Sequence, residues 1–242
     1  RALLAEAGRR CGLVGTIEID DGREKIVSSL TTPSSCVLAE SLGRMVRNDC
    51  DSVVLEASSH ALDQGRLSEV SARIGIFTNL SGDHLDYHGT LETYATAKAR
   101  LFQMVRGDGL AIVNVDDPAH ERMIREANCP VLRCSTRGNE ADAHAQMIEM
   151  SRHGSRFRLE GPWGMIESEA AIVGRHNAEN LLLAVSAVHA LGVETDRIAA
   201  AISAVQAPPG RLEPVPCHSA DFSVFVDYAH TDDALENVLQ AA

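Results

Sequence analysis

Short apolar runs that alternate with helical patterns constrain the fold of this chain more than any other feature. Strand-like runs rich in Val, Ile and Leu occupy residues 52–57, 73–80, 109–115 and 129–135, and a helical pattern fills residues 117–127. Alternating strands and helices are typical of βαβ units, in which helices cover a sheet of parallel strands. The sequence therefore predicts an α/β fold with a mostly parallel sheet flanked by helices.

The pattern changes in the second half of the chain. Residues 144–173 contain short strand patterns separated by Gly and Pro, which predicts a small antiparallel β segment. Helices are predicted at residues 177–192, with Asn177 as the candidate cap, and at residues 194–205.

A Pro-rich stretch at residues 208–216 is the best candidate for a linker. We therefore expect residues 1–207 to form a central domain and residues 217–242 to begin a second α/β domain. In that second part, residues 222–230 are predicted to form a strand and a turn, and residues 232–242 to begin a helix.

Composition limits the classes of partner. The chain has 242 residues and a formal net charge of −12, so it lacks the broad basic face that nucleic-acid binding needs. A small anion can still bind where a few arginines and a metal ion gather. We expect no membrane insertion, because no apolar run approaches membrane-spanning length and the first residues lack a signal-peptide pattern. Six cysteines without a CxxC pair favour reduced thiols in a cytosolic protein.

Lys98 occupies an unexpected position in a predicted helix. It falls on the apolar face, which carries Leu91, Tyr94, Leu101, Phe102 and Val105. A snorkelling lysine, whose stem packs on the core while its amine reaches water, is the simpler interpretation. However, arginine fills 20 of the 22 basic positions, so a lysine here suggests chemistry that a guanidinium cannot do. A buried amine can act as a base, form an imine, or react with carbon dioxide to give a carbamate anion.

A loop rich in acidic and imidazole groups precedes this helix. It contains Asp83, His84, Asp86 and His88, and Glu56 ends a predicted strand upstream. Ligand sites in open α/β sheets form at the carboxyl ends of strands. A carboxylate, an imidazole and a carbamate would together suit Mg²⁺ or Mn²⁺. A capped, hydrogen-bonded loop is the alternative for Asp83 and His84, whereas an acid directly after apolar strand positions needs a partner.

Six motifs occur in an order that resembles one enzyme family. They are LEASSHALDQGR (55–66), TNLSGDHLDYHG (78–89), AKARLF (97–102), GRHNAENLLLA (174–184), PPGRLE (208–213) and VDYAHTDDALENVL (226–239). Over nearly the whole chain they resemble the Mur ligases, which build the peptide of bacterial peptidoglycan. DHLDYHG and DYAHT, together with TTP (31–33), resemble the MurE type, which adds the third amino acid to UDP-N-acetylmuramoyl-L-alanyl-D-glutamate.

The resemblance implies an ATP-dependent carbon–nitrogen ligase. In that family ATP phosphorylates a substrate carboxylate, the amine of the incoming amino acid attacks the acyl phosphate, and a tetrahedral intermediate collapses to the amide. The resemblance also implies a bacterial cytoplasmic protein that uses Mg²⁺ or Mn²⁺. Its partners would be UDP-N-acetylmuramoyl dipeptide, ATP and a diamino acid.

Matching positions assign roles to individual residues. Lys98 matches the carbamylated lysine, and Glu56 and His84 match the other metal positions, so that Lys98 and His84 are the expected catalytic residues. The positions that hold the UDP-muramoyl peptide match Thr31, Thr32, Ser58, Gln64 and Arg66. The nucleotide positions match Asn177 and Asn180 at the adenosine, Arg211 and Asp227 near the ribose, and His230. Structural roles are the alternatives, namely Asn177 as a helix cap, Arg211 as a linker residue and Asp227 as a partner of the following turn.

The family pattern also includes a part that this chain lacks. A phosphate-binding loop of the form Gly-x-x-Gly-Lys-Thr precedes the first helix of the central domain in that family, and no Gly-Lys pair occurs here. The chain begins without Met inside a helical pattern, so we expect a fragment that is inactive alone and whose full-length form is the ligase. Asp232, where the family commonly has Pro, is a smaller departure.

Two other functions stay open at this point. A ligase of the folylpolyglutamate or cyanophycin synthetase type shares the metal lysine and the nucleotide motifs, although TTP and DHLDYHG favour the muramoyl substrate. A non-catalytic module that binds a nucleotide sugar is compatible with the missing phosphate loop. The choice between meso-diaminopimelate and L-lysine and the oligomeric state also stay open.

Overall fold

The computed structural model describes residues 1–151, 154–206, 208–215, 222, 224–230, 235–236 and 238–239. Within these residues the helices are α1 Ala2–Glu6, α2 Ser35–Arg47, α3 Ser59–Asp63, α4 Leu85–His88, α5 Leu91–Gln103, α6 His120–Ile124, α7 Arg175–Ala190 and α8 Thr195–Ser203. The strands are β1 Cys11–Val14, β2 Glu18–Asp20, β3 Lys25–Val27, β4 Ser52–Leu55, β5 Ala72–Phe77, β6 Val105–Asn114, β7 Val131–Ser135, β8 Ala143–Ser151, β9 Gly154–Gly161, β10 Gly164–Ala170, β11 Glu213–Val215 and β12 Val224–Val226. None of the helices described is long and apolar enough to cross a membrane.

A four-stranded sheet, in the order β3-β2-β1-β4, positions the first group of candidate site residues. Strand β1 pairs with β4 in parallel, with Val14 opposite Leu55, and with β2 in antiparallel fashion. Val14 is fully buried, and it packs in a core cluster with Leu38, Met45 and Leu67. Because β1 and β4 run in parallel, their carboxyl ends lie side by side, and the residues that follow them are neighbours.

A six-stranded sheet, in the order β10-β9-β8-β7-β6-β5, contains the predicted antiparallel segment. Strands β7 and β8 pair in parallel, whereas β9 pairs in antiparallel fashion with both β8 and β10. Strand β6, next to the edge strand β5, buries Ala111, Ile112 and Val113 completely. Strands β11 and β12 form a separate antiparallel pair. The predicted α/β fold, with helices beside a mainly parallel sheet and a small antiparallel segment, is confirmed.

The chain divides into two compact units. The first contains Arg1–Gly75, His84–Ala111 and Glu121–Val131, and the second contains Ile76–Asp83, Ile112–His120 and Leu132–Ala242. The predicted boundaries of a central domain at 1–207 and a second domain at 217–242 stay predictions. Residues 216–221 and most of the predicted helix at 232–242, including Asp232, lie outside the described residues.

Three local predictions need correction. Helix α7 begins at Arg175 with Gly174 as its N-cap, so Asn177 is not the cap but lies inside the first turn. Gly174 has a φ of 92°, a conformation that favours glycine, and this lets the helix begin before the asparagine. Val105 is the first residue of strand β6 rather than part of the apolar face of α5, and the predicted linker contains β11.

Candidate active site

The predicted site residues fall into two groups, one in each unit. The first unit holds the predicted metal and peptide-binding residues Thr31, Thr32, Glu56, Ser58, Gln64, Arg66, His84 and Lys98. The second unit holds the predicted nucleotide-binding residues Asn177, Asn180, Arg211, Asp227 and His230.

Glu56 follows strand β4 and is held by the loop that follows β1. Its Oε2 atom accepts hydrogen bonds from the Thr16 backbone N at 2.7 Å and from Thr16 Oγ1 at 2.6 Å. Thr16 Oγ1 lies 3.0 Å from Thr31 Oγ1, so a predicted metal ligand and a predicted peptide-binding residue share one partner. A Cβ atom at Gly15 would stand 3.1 Å from the Glu56 carboxyl carbon, which means that the glycine makes room for the carboxylate.

Thr32 links the end of β4 to the start of α3. Its hydroxyl donates to the Glu56 carbonyl at 2.6 Å and accepts from the Ser58 backbone N at 3.0 Å. Ser58 is the N-cap of α3, and its hydroxyl accepts from the Ala61 backbone N at 3.3 Å. The structure therefore brings Thr31, Thr32, Glu56 and Ser58 together, as the sequence analysis requires for a common site.

Arg66 and Gln64 extend this group. Arg66 donates through Nη1 to the Thr32 carbonyl at 2.8 Å, and through Nε at 2.9 Å and Nη2 at 2.5 Å to Gln64 Oε1. Gln64 in turn donates through Nε2 to the Tyr87 hydroxyl at 3.2 Å. Both side chains are therefore oriented by the protein before any ligand binds.

His84 and Lys98 meet the same aromatic ring. Lys98 Nζ lies 5.0 Å from the centroid of the Tyr94 ring, and the His84 ring centroid lies 6.0 Å from it. His84 has a left-handed backbone conformation with a φ of 57°, and its side chain is exposed. Lys98 is only partly buried, which corrects the expectation of a position on the buried stripe of α5. The Lys98 amine stands over the Tyr94 ring in a cation–π arrangement.

His60, Tyr87 and His88 complete a ring cluster around His84. The His60 ring centroid lies 4.9 Å from His84, 4.1 Å from Tyr87 and 5.4 Å from His88. Burial lowers the pKa of His60, and the nearby His84 lowers it further. Burial also lowers the pKa of His88, and His60 adds to this effect. These shifts favour neutral imidazoles, which can accept hydrogen bonds.

The sequence analysis missed His60. It follows the N-cap of the short helix α3 and comes four residues after Glu56. Polar side chains just beyond a strand end are the signal that could have identified it, since ligand sites in open α/β sheets form there.

Within the first unit, the Glu56 carboxylate is the type of ligand that suits a hard divalent cation. Both hydrogen bonds from Thr16 go to Glu56 Oε2, and no described residue donates to Oε1. Carboxylate oxygens of this kind are the ligands that Mg²⁺ prefers, with water completing its shell. No group of three or more His, Cys, Asp or Glu side chains within the described part of the chain could hold a metal ion. The expected set of Glu56, His84 and carbamylated Lys98 contains only two such side chains.

The second unit uses Asn177 internally. Asn177 is 5% exposed, and its Nδ2 donates to the Val173 carbonyl at 2.8 Å. Asn180 is exposed, one turn further along α7. Glu179 lies between them and is partly buried. Burial raises the pKa of Glu179 to about 7, and Asp116 raises it as well.

Arg211, Asp227 and His230 lie around the β11–β12 pair. Asp227 accepts from the Leu212 backbone N and from the Ala229 backbone N, each at 2.7 Å, so both of its oxygens already bind the turns. The Arg211 guanidinium lies 5.6 Å from the Tyr228 ring centroid, and His230 Nε2 lies 3.8 Å from Asp83 Oδ2. Asp227 therefore binds the adjacent turns, which is the structural role given above as its alternative. A role toward a nucleotide stays a prediction.

Comparison with known proteins decides the family. The family model of the Mur ligase middle domain matches residues 1–188 of this chain. The chain belongs to the Mur ligase family.

Several proteins similar to this chain share one name. UDP-N-acetylmuramoyl-L-alanyl-D-glutamate–2,6-diaminopimelate ligase of Chlamydia pneumoniae is 40% identical over 99% of this chain and 49% of its own length. The protein of the same name from Geobacillus kaustophilus (strain HTA426) is 38% identical over 97% of this chain and 49% of its own length. A solved structure of a ligase with this name superposes with a TM-score of 0.83 at 33% identity, over 99% of this chain and 49% of that one. This Mur ligase chain thus spans about half the length of the curated relatives it matches.

Proposed function

We propose that the full-length protein is an ATP-dependent ligase that adds a diamino acid to UDP-N-acetylmuramoyl-L-alanyl-D-glutamate in bacterial peptidoglycan synthesis, in the cytoplasm. The observation that carries this proposal is the hydrogen-bonded group of Thr31, Thr32, Glu56 and Ser58 beside the ends of β1 and β4. In this group a candidate metal ligand and the candidate peptide-binding residues share partners. The names of the relatives favour 2,6-diaminopimelate over L-lysine as the amino acid.

The proposed reaction joins a carboxylate to an amine in two stages. The substrate carboxylate attacks the γ-phosphorus of ATP, so that ADP leaves and an acyl phosphate forms. The amine of the diamino acid then attacks the acyl carbon, and the tetrahedral adduct expels inorganic phosphate to leave the amide. Catalysis of phosphoryl transfer depends mainly on positioning and on neutralising charge.

Residues of the first unit supply these functions in the proposal. Glu56, His84 and carbamylated Lys98 would hold Mg²⁺ or Mn²⁺. The bound ion would neutralise charge on the transferring phosphoryl group. Arg66 presents a planar fork that suits a carboxylate or a phosphate of the muramoyl substrate.

The carbamate gives Lys98 a role that arginine cannot fill. The lysine amine would attack carbon dioxide and lose a proton, and this would convert a cation into an anionic oxygen ligand. The partial burial of Lys98 and the position of its amine over the Tyr94 ring support this proposal, because burial favours the neutral amine that reacts with carbon dioxide.

A ligase assay on the full-length gene product tests the function. We expect UDP-N-acetylmuramoyl-L-alanyl-D-glutamate, ATP and meso-diaminopimelate to yield ADP, phosphate and the tripeptide product, measured by phosphate release and mass spectrometry. L-Lysine in place of diaminopimelate tests the choice of amino acid. Turnover with folate and glutamate but not with the muramoyl substrate would instead identify a folylpolyglutamate-type ligase, and binding without turnover would identify a non-catalytic module.

Lys98 variants test the mechanism. Lys98→Arg is expected to abolish turnover, and a small carboxylic acid added to Lys98→Ala is expected to restore part of it. Lys25→Arg is the matched control, because Lys25 is the other lysine of this chain and pairs with Glu18 at 2.9 Å. Full activity in Lys98→Arg would rule out the carbamate.

A further inference from the structure

The hydroxyl of Tyr87 joins two segments that carry different parts of the proposed site. It accepts a hydrogen bond from Gln64 Nε2 at 3.2 Å and donates one to Asp63 Oδ2 at 3.1 Å. Tyr87 lies on α4, three residues after His84, whereas Asp63 and Gln64 lie at the carboxyl end of α3. One atom therefore connects the turn that bears His84 to the end of α3.

The orientation of Gln64 depends on this hydroxyl. The Oε1 atom of Gln64 accepts hydrogen bonds from both Nε and Nη2 of Arg66. The Nε2 atom of Gln64 therefore points the other way, toward Tyr87. Arg66 also donates to the Thr32 carbonyl at 2.8 Å. Since an amide that lost its partner at Nε2 could rotate, the position of the Arg66 fork depends on the contact between Gln64 and Tyr87.

The opposite side of the hydroxyl is fixed as well. Asp63 Oδ1 forms an ion pair with Arg100 Nη1 at 3.1 Å, and the same nitrogen donates to the Asp63 carbonyl at 2.9 Å. Arg100 lies on α5, two residues after Lys98. The Tyr87 ring itself packs against His60 at 4.1 Å and against His88 at 4.8 Å between ring centroids. The phenol is thus held on three sides before it reaches Gln64.

We infer that Tyr87 is a positioning residue that holds Gln64 and Arg66 in place for the anionic groups of the UDP-muramoyl substrate. It would also fix their position relative to the turn that bears His84. This inference rests on the proposed function, because that function assigns Gln64 and Arg66 to the substrate. Tyr87 itself need not touch the substrate. The ring contacts with His60 and His88 would keep the turn folded, while the hydroxyl would set the orientation of the substrate-binding pair.

Tyr87→Phe in the full-length protein separates these two contributions, since it keeps the ring and removes both hydrogen bonds of the hydroxyl. We expect the KM for UDP-N-acetylmuramoyl dipeptide to rise by about 3- to 10-fold, the range for loss of a hydrogen bond at a partly exposed position. The kcat, the KM for ATP and the melting temperature should stay close to those of the wild type. A variant that merely loosened the fold would lower the melting temperature and change all three kinetic values.

Ser68→Ala is the matched control. The Ser68 hydroxyl donates to the Gly65 carbonyl at 2.9 Å, on the segment that carries Gln64 and Arg66, but it does not contact either side chain. The variant should leave the KM for the muramoyl substrate unchanged. A similar rise in this variant and in Tyr87→Phe would overturn the inference.

A double-mutant cycle with Gln64→Ala tests whether Tyr87 acts through Gln64. If it does, Tyr87→Phe should add little to the KM of a protein that already carries Gln64→Ala, because coupled residues are not additive. Additive effects, or an unchanged KM in Tyr87→Phe, would overturn the inference and leave the proposed function intact. A wild-type protein that fails to ligate the muramoyl dipeptide would refute the proposed function, and the inference would fall with it.

Discussion

Glu179 makes the stability of this protein depend on pH in a way that one substitution removes. Burial raises the pKa of its carboxyl group to about 7 from 4.5, with Asp116 adding to the shift. The folded chain therefore keeps a proton that the unfolded chain releases between about pH 4.5 and about pH 7, so that the free energy of unfolding falls as the pH rises through this window. Above it, the folded protein carries a charged group in a place that favours the neutral form.

The size of this effect follows from the shift. At about 1.4 kcal/mol per pKa unit, the difference between 4.5 and about 7 corresponds to roughly 3.5 kcal/mol. Glu179 is partly exposed, and solvent screening reduces the expected change to about 1.5 kcal/mol. For a chain of this size, that free energy corresponds to a change in melting temperature of about 3 to 6 °C.

Glu179→Gln keeps the shape and the hydrogen-bonding capacity of the side chain but cannot ionise. We expect its melting temperature to match the wild type near about pH 4, below both pKa values, and to exceed it by about 3 to 6 °C near about pH 8.5. Differential scanning fluorimetry of the full-length protein across this range measures the difference. Glu140→Gln, at an exposed glutamate of the same unit, is the control and should follow the wild type. Parallel curves for Glu179→Gln and the wild type would refute the reasoning.

Three further substitutions have expected outcomes. Asp116→Ala should lower the free energy of unfolding by about 2 to 4 kcal/mol, measured by urea denaturation, because its carboxylate accepts five hydrogen bonds from the last residue of β7 and the loop after it. The matched Asp116→Asn should lower it less. Glu56→Gln should raise the Mg²⁺ concentration needed for half-maximal ligase activity at least about 10-fold, and an unchanged requirement would exclude Glu56 as a ligand. Asp227→Ala should lower the free energy of unfolding by about 1 to 2 kcal/mol, since the Leu212 and Ala229 backbone N–H groups lose their acceptor; equal stability would show that water replaces the carboxylate.

The strands of the parallel sheet could be predicted because each is a continuous apolar run between polar turns. Strands β1, β2 and β3 were not predicted. They have only three or four residues each, and β1 also pairs with β4, which lies about forty residues further along the chain. Val105 shows the converse error, since apolar spacing alone does not say whether a residue ends a helix or begins a strand.

The sequence could predict those site residues whose type is unusual for their position in a strand or helix. Glu56 stood out as an acid after an apolar strand, and Lys98 as a rare lysine on an apolar helix face. The partial exposure of Lys98 was one of two alternatives, and the sequence could not decide between it and full burial because a helical projection ignores which neighbours cover each face. The contact of Gln64 with Tyr87 and the packing of His60 on Tyr87 join segments more than twenty residues apart, and no local pattern reports them.

Thr32 restricts how this chain can vary through evolution. Its hydroxyl is a donor to the Glu56 carbonyl and an acceptor from the Ser58 backbone N at the same time, and the residue is 1% exposed. Valine has the same shape but would leave two partly buried backbone groups without their hydrogen-bond partner, and alanine would also leave a cavity. Serine keeps both hydrogen bonds with the loss of one methyl group. Serine is therefore the substitution at position 32 that costs the least stability. A library of random codons at this position should return mainly threonine and serine among functional clones.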